Sequence, residues 1–190
     1  MLIQEGNTEL LAQYTTIPIA FEVRSMLQPE LIEDGLGGIL LHEQSVEQPY
    51  LKNYDAEESP LDWPQRFNLT NWVVLLAWQN EQLAGGATLA TRTPGVHMLA
   101  GRDDLAVLWD IRVHPDLRGR GIGRQLVQYT VDLARRRGFS QLKIETQNVN
   151  AAACRFYHRC GCRLGEINRY AYAHIPNVAH EVMLIWYLDL

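Results

Sequence analysis

The chain has 190 residues, 47% of them hydrophobic and 21% charged, with a formal net charge of −5. That length fits one domain with a sizeable core, and the composition excludes collagen, coiled coil and extended disorder. The longest apolar run, Val182 to Leu188, is well short of the roughly 18 residues of a membrane span, and Met1-Leu2-Ile3-Gln4-Glu5 lacks the regions of a secretory signal, so a cytoplasmic protein with no membrane partner is expected.

Ile17 to Arg24 alternates as a first strand, which Pro18 confines to an edge or a start. Pro29 to Gln44 reads as helical, weakened or divided by Gly35, Gly37 and Gly38. Pro49 to Asn71 reads as a loop with helical turns. Asn71 to Gln79 and Leu83 to Thr91 form a hairpin through Asn80-Glu81-Gln82, and Gly85-Gly86 inside the second strand implies a bulge or a close backbone approach. After a loop from Pro94 to Asp104, Leu105 to Val113 is apolar enough for a buried central strand, which Pro115 ends. Ile122, Leu126, Tyr129, Leu133 and Ala134 then follow the helical period up to Arg137, with Gly138 as the C′ residue. Gln141 to Glu145 is a short strand, Asn150 caps a helix that Gly161 terminates, and Arg163 to Tyr172 with Glu181 to Leu190 make a closing pair of strands. The order β-α-β-β-β-α-β-α-β-β defines an α/β domain.

The net charge argues against a nucleic-acid partner, but it hides a division. Residues 1–70 hold 12 Asp/Glu and 3 Lys/Arg, a net −9, whereas residues 112–137 hold 7 Lys/Arg and 2 Asp, a net +5. One part is suited to an anion and another to a cation. Cys154, Cys160 and Cys162 have neither C-x-x-C spacing nor a second pair, which fits reduced structural thiols, and the histidines show no H-E-x-x-H pattern. No metal is expected.

The informative stretch is Leu108-Trp109-Asp110-Ile111-Arg112-Val113-His114-Pro115-Asp116-Leu117-Arg118-Gly119-Arg120-Gly121-Ile122-Gly123-Arg124. A central strand enters a loop with three alternating glycines, and a helix begins. Glycines let a ligand approach the amides, and the open N–H groups at the helix start favour a diphosphate. Arg118, Arg120 and Arg124 add charge around it. The spacing fails the P-loop, since Gly123 is followed by Arg124-Gln125, and fails the dinucleotide G-x-G-x-x-G pattern.

Arg118-Gly119-Arg120-Gly121-Ile122-Gly123 resembles the Arg/Gln-x-x-Gly-x-Gly/Ala motif of GNAT-type N-acetyltransferases. Asn150-Ala151-Ala152-Ala153-Cys154-Arg155-Phe156-Tyr157-His158-Arg159-Cys160-Gly161-Cys162 is similar to a second family motif, Asn-x-x-Ala-x-x-Phe-Tyr-x-x-x-Gly-Phe, with Cys162 where Phe is common. The likeness is strongest to the streptothricin acetyltransferase subgroup, through Leu142 to Asn150, Ala153 to Tyr157 and Ile185-Trp186-Tyr187-Leu188. It implies a single domain over 1–190 with the GNAT fold: a mixed sheet of about six to seven strands, flanked by helices and split between its two central parallel strands. Residues 1–70 would form acceptor-side helices and loops, and 105–162 the acetyl-coenzyme A-binding core.

The resemblance implies acetyl-coenzyme A as cosubstrate. The amides of Gly119, Arg120, Gly121, Ile122, Gly123 and Arg124, with Arg118, would hold the diphosphate. The main chain of Ile111, Arg112 and Val113 would pair with the pantetheine arm as an added strand does, with Asn150, Ala153 and Tyr157 near that arm. Tyr157 matches the family tyrosine that protonates the leaving thiolate; a phenol near pKa 10 suits a thiol near 8.5. Deprotonating an alkyl amine at pH 7 costs about 4.6 kcal/mol, so a base or a lowered amine pKa is needed. Asp110 and Glu145 are the candidates, acting directly, through water, or by holding the ammonium group. Alternation puts Asp110 on the face of Arg112, opposite Ile111 and Val113. Trp63, Trp72, Trp78, Trp109, Tyr50 and Tyr54 are candidates to line an acceptor pocket. The acceptor expected from the acidic N-terminal part is a small cationic amine such as a streptothricin-like antibiotic; protein lysines or N-termini, and non-catalytic coenzyme A binding, are the alternatives. Homodimers are common in the family.

Overall fold

The structure, a computed structural model, describes residues 1–190. In chain order it contains β1 (Leu2–Gly6), α1 (Leu11–Tyr14), β2 (Phe21–Ile32), β3 (Gly38–Lys52), α2 (Trp63–Arg66), β4 (Val73–Gln79), β5 (Gln82–Thr91), β6 (Leu105–Val113), α3 (Ile122–Arg136), β7 (Gln141–Gln147), α4 (Ala151–Arg159), β8 (Arg163–Asn168) and β9 (Met183–Asp189). Seven strands form a mixed sheet in the order β1-β4-β5-β6-β7-β9-β8, with β6 and β7 parallel, while β2 and β3 pair separately. This is the mixed α/β architecture expected. No helix is long and apolar enough to cross a membrane.

The chain divides into two compact units. One comprises residues 1–20, 53–144 and 187–190, the other 21–52 and 145–186. In the first, β4 and β5 meet through Asn80 and Glu81, both with positive φ, as a two-residue turn matched to strand twist requires. The glycine pair of β5 permits close approach on both faces. A Cβ on Gly85 would lie 2.7 Å from the Arg112 carbonyl and 3.3 Å or less from Leu126 and Ile122 of α3; one on Gly86 would lie 2.7 Å from both the Leu75 carbonyl and the Tyr14 ring. The α3 side of the sheet is thus one face and the Tyr14 side the other. α3 buries Ile122, Leu126, Val127, Thr130, Val131, Leu133 and Ala134, the stripe its periodicity implies.

Two stretches of the second unit depart from expectation. The segment 29–44 is not a helix: β2 and β3 run antiparallel from Phe21↔Lys52 to Ile32↔Gly38, with Gly35 and Gly37 in the turn. The first strand accordingly begins at Phe21 rather than Ile17, and an edge strand, β1, precedes it at Leu2–Gly6. β8 ends at Asn168, so Tyr170 and Tyr172 lie in the connection to β9.

Buried polar bonds tie this unit together. Asn148, 1% exposed, donates from Nδ2 to the Leu27 carbonyl at 3.1 Å and accepts the Val182 N–H on Oδ1 at 2.8 Å. Its main chain accepts the Leu27 N–H and donates to the Val182 carbonyl, each at 2.9 Å. One asparagine therefore joins β2 to the segment entering β9. Lys52 and Glu181 form a buried ion pair at 2.8 Å. Cys154 and Cys162 are buried, and loss of hydration pushes the Cys162 thiol up to about 12, as befits an unreactive packing group.

Candidate active site

The glycine loop of the first unit has the geometry of an anion cradle. Gly119 and Gly121 adopt φ of 78° and 82°, and a Cβ at either would meet nothing within 4 Å, so the space over the loop is open. Gly121 is the N-cap of α3, and the first helical bond, from Gln125 N–H to the Gly121 carbonyl at 3.1 Å, leaves the N–H groups of Ile122, Gly123 and Arg124 without a partner inside the helix. These groups and the helix dipole fit a diphosphate. Arg120 and Arg124 are exposed beside it. Arg118 is differently engaged: Nε donates to the Val113 carbonyl at 3.1 Å and Nη2 to the Ala20 carbonyl at 2.9 Å, and burial lowers its pKa. Its side chain braces the loop against the end of β6.

β6 pairs in parallel with β7 from Leu105↔Gln141 to Leu108↔Ile144. After Leu108 it continues as Trp109 to Val113, with Asp110 to Val113 paired to Thr88 to Gly85 of β5. Thr88 pairs with Asp110 and Leu89 with Leu108, so Trp109 is an extra residue, a β-bulge. The bulge rephases the strand. Val107 lies on the Tyr14 face with the buried cluster of Leu11, Tyr14, Trp63 and Trp72; strict alternation would send Asp110 to the α3 face. With Trp109 inserted, Asp110 and Arg112 join the Tyr14 face, opposite Ile111.

There Asp110 and Arg112 form a buried network. Asp110 Oδ2 accepts from Arg112 Nε at 2.8 Å and lies 2.7 Å from Nη2. Arg112 Nη1 lies 2.8 Å from Asp55 Oδ1 and donates to the Ile17 carbonyl at 3.3 Å, and the guanidinium stands 5.1 Å from the Tyr14 ring centre. The Arg112 side chain is 2% exposed and that of Asp110 9%, against 30% for Asp55. Loss of hydration pushes the Asp110 carboxyl up despite the adjacent guanidinium, and raises the Tyr14 phenol well above its usual value. Arg112 is thus turned away from any cofactor on the strand edge, and only its main chain remains for that role. Two carboxyl groups share one guanidinium.

Trp109 packs beside this network against Trp72 at 5.2 Å and Phe67 at 5.4 Å, and edge-on to Trp63 at 6.4 Å. Trp63 and Trp72 are buried core residues, while Phe67 and Trp109 are partly exposed. Trp78 is elsewhere: it lines a cavity with Gln4, Asn80 and Glu81 and donates its indole N–H to Gln4 at 3.2 Å. Tyr54 begins a short 3-10 turn, and Tyr50 lies on β3 of the second unit, 37% exposed.

In the second unit, Asn150 caps α4 by accepting the Ala153 N–H at 3.1 Å. Tyr157, about two turns beyond the cap, is 5% exposed, and its carbonyl accepts the N–H groups of Cys160 and Cys162 at 3.0 Å. Glu145 lies on β7 directly after Ile144. Its Oε1 accepts from the Tyr172 hydroxyl at 2.6 Å and from Gln147 Nε2 at 3.2 Å, and Gln147 Nε2 also donates to the Tyr172 hydroxyl at 2.8 Å. Asp55, Tyr172 and Gln147 were not among the residues expected from sequence, because their relevance depends on contacts between distant stretches of chain.

A mixed sheet whose central strand leads into a glycine loop and a helix start defines a class: the chain belongs to the acetyltransferase (GNAT) family, whose sequence profile matches residues 39–162. These enzymes use acetyl-coenzyme A. Among particular relatives, the chain is 34% identical over 85 residues to the streptothricin acetyltransferase of Escherichia coli, a stretch covering 45% of this chain and 49%, about half, of that protein. It is 24% identical over 145 residues to streptothricin acetyltransferase A of Bacillus subtilis strain 168, covering 76% of each. A provisionally assigned streptothricin acetyltransferase of Bacillus anthracis str. Ames, solved in complex with acetyl coenzyme A, superposes with a TM-score of 0.78 at 27% identity over 100% of this chain and 99% of that one.

Proposed function

We propose that the chain transfers the acetyl group of acetyl-coenzyme A directly to a primary amine of a small cationic acceptor of the streptothricin type. The observation that carries the cationic acceptor is the Asp55–Arg112–Asp110 network, in which two carboxyl groups share one guanidinium and the partly exposed Asp55 leaves the acidic side open, beside partly exposed Trp109 and Phe67. Negative charge beside aromatic faces favours an ammonium group with an apolar body. The names of the bacterial relatives point the same way.

Bound acetyl-coenzyme A supplies the activated acetyl group as a thioester. The open amides of Ile122 to Arg124, approached across Gly119 and Gly121, would bind its diphosphate. The main chain of Ile111 to Val113 would receive the pantetheine amides. Tyr157 would give its proton to the departing thiolate. We assign proton acceptance from the amine to Glu145 rather than Asp110, because Asp110 is paired with a cation at two nitrogens of Arg112, whereas the donors on Glu145 from Tyr172 and Gln147 are neutral. Glu145→Gln should then cost about 100-fold in kcat near neutral pH.

A panel of streptothricin, aminoglycosides, polyamines and Lys peptides, read by released thiol, tests the acceptor. Streptothricin is expected to give the highest kcat/KM; preference for Lys peptides would replace this proposal with peptide acetylation. Tyr157→Phe is expected to lower kcat about 100-fold with the KM for acetyl-coenzyme A unchanged. Full kcat in that variant from pH 6 to 9 would remove the acid role.

A further inference from the structure

We propose that Tyr172 is a positioning residue, fixing the Glu145 carboxylate for the acceptor amine, a role that rests on Glu145 as the proton acceptor. Glu145 and Gln147 are two apart on β7 and share a face. Tyr172 reaches them from the connection between β8 and β9, 27 residues along the chain. The three side chains close a triangle: Tyr172 hydroxyl to Glu145 Oε1 at 2.6 Å, Gln147 Nε2 to the Tyr172 oxygen at 2.8 Å, and Gln147 Nε2 to Glu145 Oε1 at 3.2 Å.

The directions of these bonds are fixed by chemistry. An ionised carboxylate only accepts, so the Gln147 amide must turn its nitrogen toward it; the opposite flip would set two oxygens against each other. The same nitrogen donates to the phenol, which therefore directs its own proton at Glu145. A separation of 2.6 Å is that of a charge-assisted O–H···O⁻ bond. Two donors on one oxygen fix both the rotamer and the plane of the carboxylate. The connection carrying Tyr172 is anchored at its far end, where the buried Lys52–Glu181 pair and the Asn148 bonds to Val182 hold it. Next to the phenol itself, the Tyr172 carbonyl accepts the Ile175 N–H at 2.9 Å.

The test is a double-mutant cycle of Tyr172→Phe and Glu145→Gln, with streptothricin and, in parallel, a Lys peptide as acceptors. The phenyl ring keeps the packing and removes only the donor. Tyr172→Phe is expected to lower kcat about tenfold, with unchanged acetyl-coenzyme A affinity by calorimetry and an unchanged Tm. In the Glu145→Gln background the same change should do nothing more, because its effect passes through the carboxylate. Gln147→Leu should give a smaller loss with the same dependence on Glu145. Wild-type kcat in Tyr172→Phe, or a tenfold loss repeated in full beside Glu145→Gln, overturns the positioning role while leaving Glu145 in place. Wild-type kcat in Glu145→Gln overturns both.

Discussion

Gly121→Asp should abolish acetyl-coenzyme A binding in a protein that still folds. Gly121 caps α3 with φ of 82°, and nothing lies within 4 Å of an added Cβ, so the cost in the folded state is backbone strain of about 1 kcal/mol, which aspartate bears better than most residues. The N–H groups of the first helical turn, Ile122 to Arg124, are the ones assigned to the diphosphate. The new carboxylate would project into the open space over the loop, obstruct them and add a like charge beside the phosphates. Titration calorimetry should show affinity lower by at least about 100-fold, or some 3 kcal/mol, with Tm nearly unchanged. Gly121→Ala, with the strain but no charge, should lose far less. Retention of affinity within a few-fold in the aspartate variant would move the diphosphate elsewhere.

The second large effect concerns stability. Arg112→Met keeps much of the side-chain volume but removes the cation shared by Asp55 and Asp110, leaving a carboxylate that is 9% exposed without a counter-charge. Breaking a buried pair from one side costs about 3–5 kcal/mol. In a chain of this length that lowers Tm by about 10 °C. The loss should depend on pH with a defined sign. Burial already raises Asp110, and removing Arg112 raises it further. The folded protein then holds a proton that the unfolded chain releases near its ordinary pKa of about 4, so stability falls as pH rises from there through the folded pKa. Thermal melts should show a smaller deficit at pH 5 than at pH 8, and Asp110→Asn in the same background should recover part of it. An equal deficit at both pH values would mean that the variant suffers from lost packing instead of an orphaned charge.

The parts of this protein legible in its sequence are those where local geometry demands particular residue types. Gly119 and Gly121 with positive φ, Asn150 at a cap and Gly138 and Gly161 past helix ends all show that demand directly. The glycine pair in β5 was equally readable, because two packed faces exclude any side chain there. The β2–β3 hairpin was not. Few of its side chains are buried, so no apolar alternation marks it as strand, and Pro29 with three nearby glycines imitates the punctuation of a helix. The bulge at Trp109 leaves no local trace either, since it appears only when β6 is aligned with β5. Asp55 with Arg112, and Tyr172 with Glu145, are pairings across 57 and 27 positions that no spacing rule reports.

The inserted tryptophan in β6 has a consequence for how such an enzyme can change. Before it, the strand's residues are committed to the core; after it, side chains turn to one task while the main chain is offered to another. In the proposed site the donor meets the main chain of Ile111 to Val113, and any amino acid other than proline supplies the same N–H and C=O groups. Asp110 and Arg112 can therefore change only as a pair, since losing one partner orphans the other, while the main chain offered to the donor would stay the same; a single extra residue is what separates the two kinds of heredity in one strand.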